Sequence, residues 1–228
     1  MSDISRRHRL QGDEGTVLLE TAMVTPIIII FLLGIFEASM MLYNSVNLTS
    51  TIRLTARSVA NGAAATPVIG EADFLALTQM KAETGRLQRV TITKVIIYET
   101  DSAGTANLAN CKAVVSGGSN GQGISDICNV YLGGTPSSQL QTMTAANFTA
   151  SGATNCGATA WDRFWCTVPN STVSPTQVDR NANLNSAGGT DFFGVYIEAT
   201  YTYITRFFPG SNRQITDNVI WKVEPSLS

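Results

Sequence analysis

The sequence predicts an α+β fold in which one long N-terminal helix, transmembrane at first and amphipathic afterwards, packs on a small antiparallel β-sheet. From Thr16 to Tyr43 the chain has no Lys, Arg or Asp. Three later segments are rich in β-branched residues, as strands are. Between the first and second of them, residues 101–190 are rich in Gly, Ser, Thr, Asn and Ala and hold all four cysteines. This composition predicts a loop-rich, disulfide-pinned insertion and not a separate domain.

These features divide the 228 residues into three predicted parts. They are a cytoplasmic leader over residues 1–15, a transmembrane plus amphipathic helix over 16–62, and an exported α+β domain over 63–228. The last part, at roughly 150–180 residues, is large enough for one hydrophobic core.

The apolar run is long enough to cross a bilayer. Between Glu20 and Glu37 lie sixteen uncharged residues, about 24 Å of helix at about 1.5 Å per residue. With the flanking apolar residues the run spans a hydrocarbon core of about 30 Å. A cleaved secretory signal peptide is the alternative, but Ala38-Ser39-Met40 is a poor cleavage site. The arginines before the run predict a cytoplasmic N-terminus: Arg6, Arg7 and Arg9.

Helical periodicity continues beyond the apolar run. Apolar residues recur every three or four positions on one face: Leu48, Ile52, Ala56, Val59 and Ala63. Arg53 and Arg57 repeat on another face. One helix is therefore predicted from about Thr16 to Ala60, bent locally at Pro26. A signal peptide that is removed would have no reason to continue into a helix of the mature chain.

The exported part begins with a short amphipathic helix over 71–84, ending at Gly85. Its predicted apolar side is Phe74, Leu77, Ala82 and Leu87. Strands are predicted over 88–100, 192–208 and 214–223, and a turn at 209–212 makes the last two an antiparallel hairpin. One face of the second strand is predicted to consist of Val195, Ile197, Ala199, Tyr201 and Tyr203.

All four cysteines lie on the predicted exported side: Cys111, Cys128, Cys156 and Cys166. Four cysteines allow three connectivities. In an oxidising compartment we expect two disulfides, most simply Cys111–Cys128 and Cys156–Cys166. A zinc site and free buried thiols are the alternatives. Because no CxxC pair occurs and the only histidine is His8, we predict no metal. Aromatic residues near the second pair form either a small local core or an exposed recognition patch: Trp161, Phe164 and Trp165.

The composition argues against several functions. Charged residues are 14% of the chain and the net charge is -2, so we expect no nucleic-acid partner. No histidine follows His8, which excludes Ser–His and Cys–His nucleophilic sites. We therefore expect no enzyme, no cofactor and no small-molecule substrate. Five acids of the exported part show no recognisable spacing: Asp126, Asp162, Asp179, Asp191 and Glu198.

Gly15 and Glu20 mark the start of the apolar run. A peptidase that cuts before a membrane helix needs an accessible, extended site, and glycine favours one because it destabilises helix. After cleavage, Thr16 would carry a free ammonium, and the Glu20 carboxylate could pair with it in the same chain or a neighbour. Alternatively, Glu20 only stabilises the helix N-terminus through the macrodipole. Glu37 is expected as a solvated interfacial carboxylate or a polar contact with a partner helix.

These residues resemble the N-terminal half of TadE-like proteins of tight-adherence (Flp-type) pilus systems, and the leader, glycine and glutamate are similar to those of type IV prepilins. The resemblance covers about the first 65 residues, and the C-terminal ITDNVIWKVEP is similar to the family's closing strands. Thr21 departs from related pilins, which often carry an aromatic residue there. The matching positions are Gly15, Glu20, Pro26, Gly34-Ile35-Phe36-Glu37 and Ala56-Arg57-Ser58-Val59-Ala60.

The resemblance implies a minor pilin or pseudopilin acting in assembly, priming or tip formation of a tight-adherence pilus. It implies cleavage between Gly15 and Thr16 by a membrane-embedded prepilin peptidase, and action with other pilins and the pilus assembly platform. The chain would cross the bacterial inner membrane once, with its C-terminal domain in the periplasm, or enter an extracellular pilus. A membrane-anchored binding module or adhesin using residues 111–190 is the second hypothesis, and an anchored periplasmic enzyme is the third.

Overall fold

A computed structural model describes residues 11–65, 71–114, 122–124, 127–148, 192–205 and 210–222. The helices are α1 (Gln11–Ala65), α2 (Glu71–Thr84), α3 (Leu108–Lys112), α4 (Gln139–Thr142) and a 3-10 turn at Ala145–Asn147. The strands are β1 (Val90–Thr100), β2 (Gln122–Ile124), β3 (Cys128–Leu132), β4 (Phe192–Thr202) and β5 (Asn212–Lys222). Two compact units result: Met1–Tyr43 with Tyr203–Ser211, and Asn44–Thr202 with Asn212–Ser228.

The long N-terminal helix is confirmed, and it extends beyond both predicted ends. It begins at Gln11 and continues through Pro26 to Ala65. Gly15 therefore lies inside α1, and the expected extended conformation around it is wrong. The physical reason is that one glycine destabilises a helix by only about 0.5–1 kcal/mol. The helical hydrogen bonds on either side of it offset this cost.

In the first unit, α1 exposes its apolar side chains. The helix is long and apolar enough to cross a membrane, and its most apolar window has no buried residue. Two hydroxyls are satisfied within the helix, since Thr21 donates to the Val17 carbonyl at 2.8 Å and Thr25 to the Thr21 carbonyl at 2.6 Å. Most of the apolar side chains in this segment are therefore exposed.

The second unit is built on a five-stranded sheet in the order β2-β3-β1-β4-β5, with every neighbouring pair antiparallel. The predicted α+β class and the β4–β5 hairpin are confirmed, with Val195 opposite Val219. The second predicted strand was too long, because β4 ends at Thr202 and leaves Tyr203 outside the strand. The third predicted strand was too short at its start, because β5 begins at Asn212, two residues before the predicted position.

One face of the sheet holds the main core of this unit. The predicted α1 residues Leu48, Ile52, Ala56 and Val59 are all buried there, as are Val195, Ile197 and Ala199 of β4. Arg53 and Arg57, which were predicted to lie on another face of the helix, are exposed. On α2, however, Ala82 is exposed, because the buried positions Asp73, Ala76, Leu77, Met80 and Thr84 follow steps of three and four that exclude it.

The opposite face carries a smaller cluster, consisting of Ile96, Tyr98, Cys111, Cys128, Val130 and Tyr196. The predicted Cys111–Cys128 disulfide is confirmed and joins α3 to β3. The predicted Cys156–Cys166 pair and the nearby aromatic residues lie outside the described residues. Residues 101–190 were predicted to be loop-rich, but their described part contributes β2 and β3 to the sheet. These strands have three and five residues, too short for a clear alternation.

Candidate functional site

The predicted processing and assembly residues lie together on the first turns of α1. Gly15, Thr16 and Glu20 are all exposed, and Glu20 follows Thr16 by one helical turn. A Cβ atom placed on Gly15 would meet no other heavy atom within 4 Å. Val17 and Leu19, beside Glu20, are also exposed. Within residues 15–20 the helix therefore presents one carboxylate, that of Glu20, beside exposed apolar side chains.

The second acid of α1, Glu37, has quite different surroundings. Its side chain is only 1% exposed, although its neighbours Ile35 and Phe36 are 62% and 52% exposed. Its carboxylate accepts the Ile204 N–H at 3.1 and 3.0 Å, and both the N–H and the hydroxyl of Thr205 at 2.8 and 3.0 Å. The expectation of a solvated carboxylate is wrong, and the polar contact is with a loop of the same chain.

The end of β4 explains why these donors are available. Beyond Thr202 the chain bends, so the N–H groups of Ile204 and Thr205 leave the strand ladder. The backbone N–H of Tyr203 donates to the Ser211 carbonyl at 3.2 Å, which joins the two ends of the loop. Two successive N–H groups and one hydroxyl then converge on the Glu37 side chain, and they satisfy its buried oxygen atoms.

Asp73 is a further buried carboxylate, and sequence reasoning missed it. It lies on α2 with no solvent exposure and accepts hydrogen bonds from Asn129 at 2.8 Å and from the Tyr131 hydroxyl at 2.7 Å. The available signal was its spacing, since it falls four residues before Leu77 on the apolar face. Its hydrogen bonds tie α2 to β3, which indicates a structural role.

Among the described residues outside α1, Tyr98, Tyr196 and Asp101 have shifted pKa values. Burial raises the pKa of Tyr98, whose hydroxyl donates to Asn218 at 2.9 Å. Burial, helped by nearby Glu198, also raises the pKa of Tyr196, whose ring lies 4.0 Å from the Lys112 ammonium. The Thr105 backbone N–H lowers the pKa of exposed Asp101. In these contacts, none of the three side chains forms a hydrogen bond with a nucleophilic side chain.

The described part of the chain holds no group of three or more His, Cys, Asp or Glu side chains that could bind a metal ion. Of the five acids without recognisable spacing, the structure describes Glu198, which accepts a hydrogen bond from Gln214. The other four lie outside the described residues: Asp126, Asp162, Asp179 and Asp191.

These features define a class of chain: one N-terminal helix is long and apolar enough to cross a membrane, and the C-terminal part of that helix contributes to the core of an α+β unit. Residues 15–65 match the family model for TadE-like protein. The resemblance found in the sequence is thus confirmed over this segment, which runs from Gly15 to the end of α1. The TadE-like family is linked to Tad pilus assembly. No curated protein and no solved structure matches the chain.

Proposed function

We propose that this protein is a minor pilin or pseudopilin that takes part in assembly, priming or tip formation of a tight-adherence pilus. The observation that carries the proposal is the TadE-like helix, whose exposed apolar surface includes a single exposed carboxylate, Glu20, between Thr16 and Phe36. Such a surface can be covered by lipid before assembly and by the helices of other pilins afterwards, because both offer apolar contacts.

In the proposed pathway the chain enters the inner membrane with its N-terminus in the cytoplasm and its C-terminal domain in the periplasm. A prepilin peptidase then cleaves between Gly15 and Thr16. The new Thr16 ammonium pairs with Glu20 of the same or a neighbouring chain, and this neutralises two charges that would each be costly in apolar surroundings. Other pilins and the pilus assembly platform are the partners.

The Cys111–Cys128 disulfide supports export of the domain. Structural disulfides form and persist in oxidising compartments such as the periplasm and are rare in the cytosol. This fits a helix that separates a cytoplasmic leader from a periplasmic domain.

Deletion and complementation test the proposed function. A strain lacking this gene should have few or no surface pili by electron microscopy, and the wild-type gene should restore them. In a strain lacking the prepilin peptidase, the protein should accumulate with its leader attached. Normal pilus numbers in the deletion strain would contradict the proposal.

A further inference from the structure

We propose that the loop formed by Tyr203, Ile204 and Thr205 is a second membrane contact of this chain, seated in the outer interface of the bilayer and held there by Glu37. We call these three residues the interfacial loop. The inference rests on the proposed membrane location of α1, and it adds a lipid-binding element from the far end of the sequence.

The position of Glu37 along α1 supports this depth. Exposed apolar side chains begin at Val17, and a hydrocarbon core of about 30 Å corresponds to about 20 helical residues. Counted from Val17, the core ends close to Glu37. Exposed Leu42 and Tyr43 then lie in the interfacial layer, where tyrosine is enriched.

The polar groups at this depth satisfy one another. A carboxylate at the edge of the hydrocarbon is costly unless it has partners, and free backbone N–H groups are costly there as well. Glu37 accepts the N–H groups of Ile204 and Thr205 and the Thr205 hydroxyl. Because donors and acceptor neutralise each other's desolvation cost, helix and loop can occupy this layer together.

The side chains of the interfacial loop suit the same layer. Tyr203 is a half-buried aromatic residue, Ile204 is 36% exposed, and none of the three residues carries a charge. On α1, the half-buried residues that share the face of Glu37 are Leu33, Gly34, Met40 and Met41. The shielded face of the helix thus lies apart from exposed Ile35 and Phe36, which would face lipid.

Spin labelling of the full chain in vesicles of phosphatidylethanolamine and phosphatidylglycerol tests the proposal. Labels are attached at Ile204→Cys, at Leu32→Cys in the apolar run, and at Ser137→Cys in the exposed loop before α4, with the parent chain as the labelling blank. Collisions with oxygen report lipid exposure, and collisions with a water-soluble nickel complex report water. We expect the labels at 204 and 32 to favour oxygen and the label at 137 to favour nickel. Adding Glu37→Gln should lower the oxygen-to-nickel ratio at 204 toward the value at 137.

The outcomes separate this inference from the proposed function. If the nickel complex reaches the label at position 32, α1 does not span the membrane, and both the proposed membrane location and this inference are wrong. A lipid-exposed label at 32 with a water-exposed label at 204 would overturn only the inference. Exclusion of both reagents at 204 would mean that protein covers the loop, which also contradicts a lipid contact. An unchanged oxygen-to-nickel ratio in Glu37→Gln would mean that Glu37 does not hold the interfacial loop in the membrane.

Discussion

Glu20 and Glu37 lie on the same helix and differ in what surrounds them. Glu20 is exposed, whereas Glu37 is buried and bonded to Ile204 and Thr205. The Glu37 carboxylate is therefore committed to a contact within its own chain. Glu20 keeps its carboxylate on the surface, where a group created by processing or carried by another chain can reach it.

Gly15→Val tests the cleavage site. We expect a full-length, membrane-held precursor, because a branched side chain at the residue before the scissile bond hinders the peptidase, which glycine with no Cβ does not. Gly34→Val is the matched control, since a Cβ at either glycine meets no heavy atom within 4 Å and both lie in α1. Mass spectrometry of the N-terminus should find Thr16 first in the wild type and in the control. A mature wild-type protein beginning at Met1, in a strain with working pili, would contradict the prediction.

Asp73→Ala tests the buried carboxylate of α2. The change leaves Asn129 and Tyr131 without this acceptor, and an unsatisfied buried group costs about 1–3 kcal/mol. We expect that loss in the free energy of unfolding, measured by urea denaturation of the full chain in detergent micelles. Glu83→Ala is the control, because its 3.5 Å pair with exposed Arg86 should contribute less than about 1 kcal/mol. Equal losses in the two variants would rule out the structural role of Asp73.

Among the elements, those with a long periodic pattern could be predicted from sequence. The helical spacing of apolar residues from Leu48 to Val59 predicted both α1 and its buried face, and the alternation of apolar residues in β4 did the same for that strand. The short strands β2 and β3 were missed, since three and five residues carry too little pattern to separate a strand from a loop. The end of β4 was missed because strand-forming residues continue past Thr202, whereas the backbone bends at residues 204–205, where Thr205 bonds to Glu37.

The disulfide between α3 and β3 should raise the free energy of unfolding of the domain. Cys111 and Cys128 are 17 residues apart, and closing a loop of this size contributes about 3 kcal/mol. The double variant Cys111→Ala/Cys128→Ala should lose about that free energy of unfolding in urea titrations without reductant. Added reductant should bring the wild type toward the variant. If the two proteins unfold at the same urea concentration without reductant, the disulfide does not stabilise the domain.

Strand β1 carries a pH-dependent contribution through Tyr98. Burial raises the folded-state pKa of its hydroxyl, while an unfolded tyrosine ionises near pH 10. Stability linked to the neutral hydroxyl is thus fully present below about pH 10 and is lost as the pH rises through the folded pKa. Tyr98→Phe should unfold more easily at neutral pH, by about 0.5–1.5 kcal/mol, and should lose less stability than the wild type at alkaline pH. Parallel stability curves for the two proteins would contradict this.

For the molecule as a whole, the sequence was most informative about the N-terminal helix, whose family resemblance is confirmed over residues 15–65. The glycine, the glutamate and the apolar run lie within one continuous stretch, so their relation could be read without a structure. Contacts distant in sequence could not, and both Glu37 with Thr205 and Asp73 with Tyr131 depend on how the chain folds back. A buried carboxylate and a solvated one look the same in a sequence until their donors are placed.

Whether Glu20 serves assembly is the central question for the whole molecule. If its carboxylate pairs with the Thr16 ammonium of a partner, Glu20→Ala leaves a charge uncompensated, at a cost of about 3–5 kcal/mol. Since about 1.4 kcal/mol is a factor of ten, assembly should fall by orders of magnitude. A helix-entry acid that acts only through the macrodipole is worth about 0.3–1 kcal/mol, which predicts little change.

The most direct measurement is the number of surface pili in a Glu20→Ala strain with normal protein levels and a verified N-terminus at Thr16. Glu83→Ala, which removes a partly exposed carboxylate from α2, is the matched control. We expect the Glu20→Ala protein to insert and to be cleaved, yet to leave few or no pili, while the control keeps wild-type numbers. Wild-type piliation in the Glu20→Ala strain would mean that Glu20 does not serve assembly.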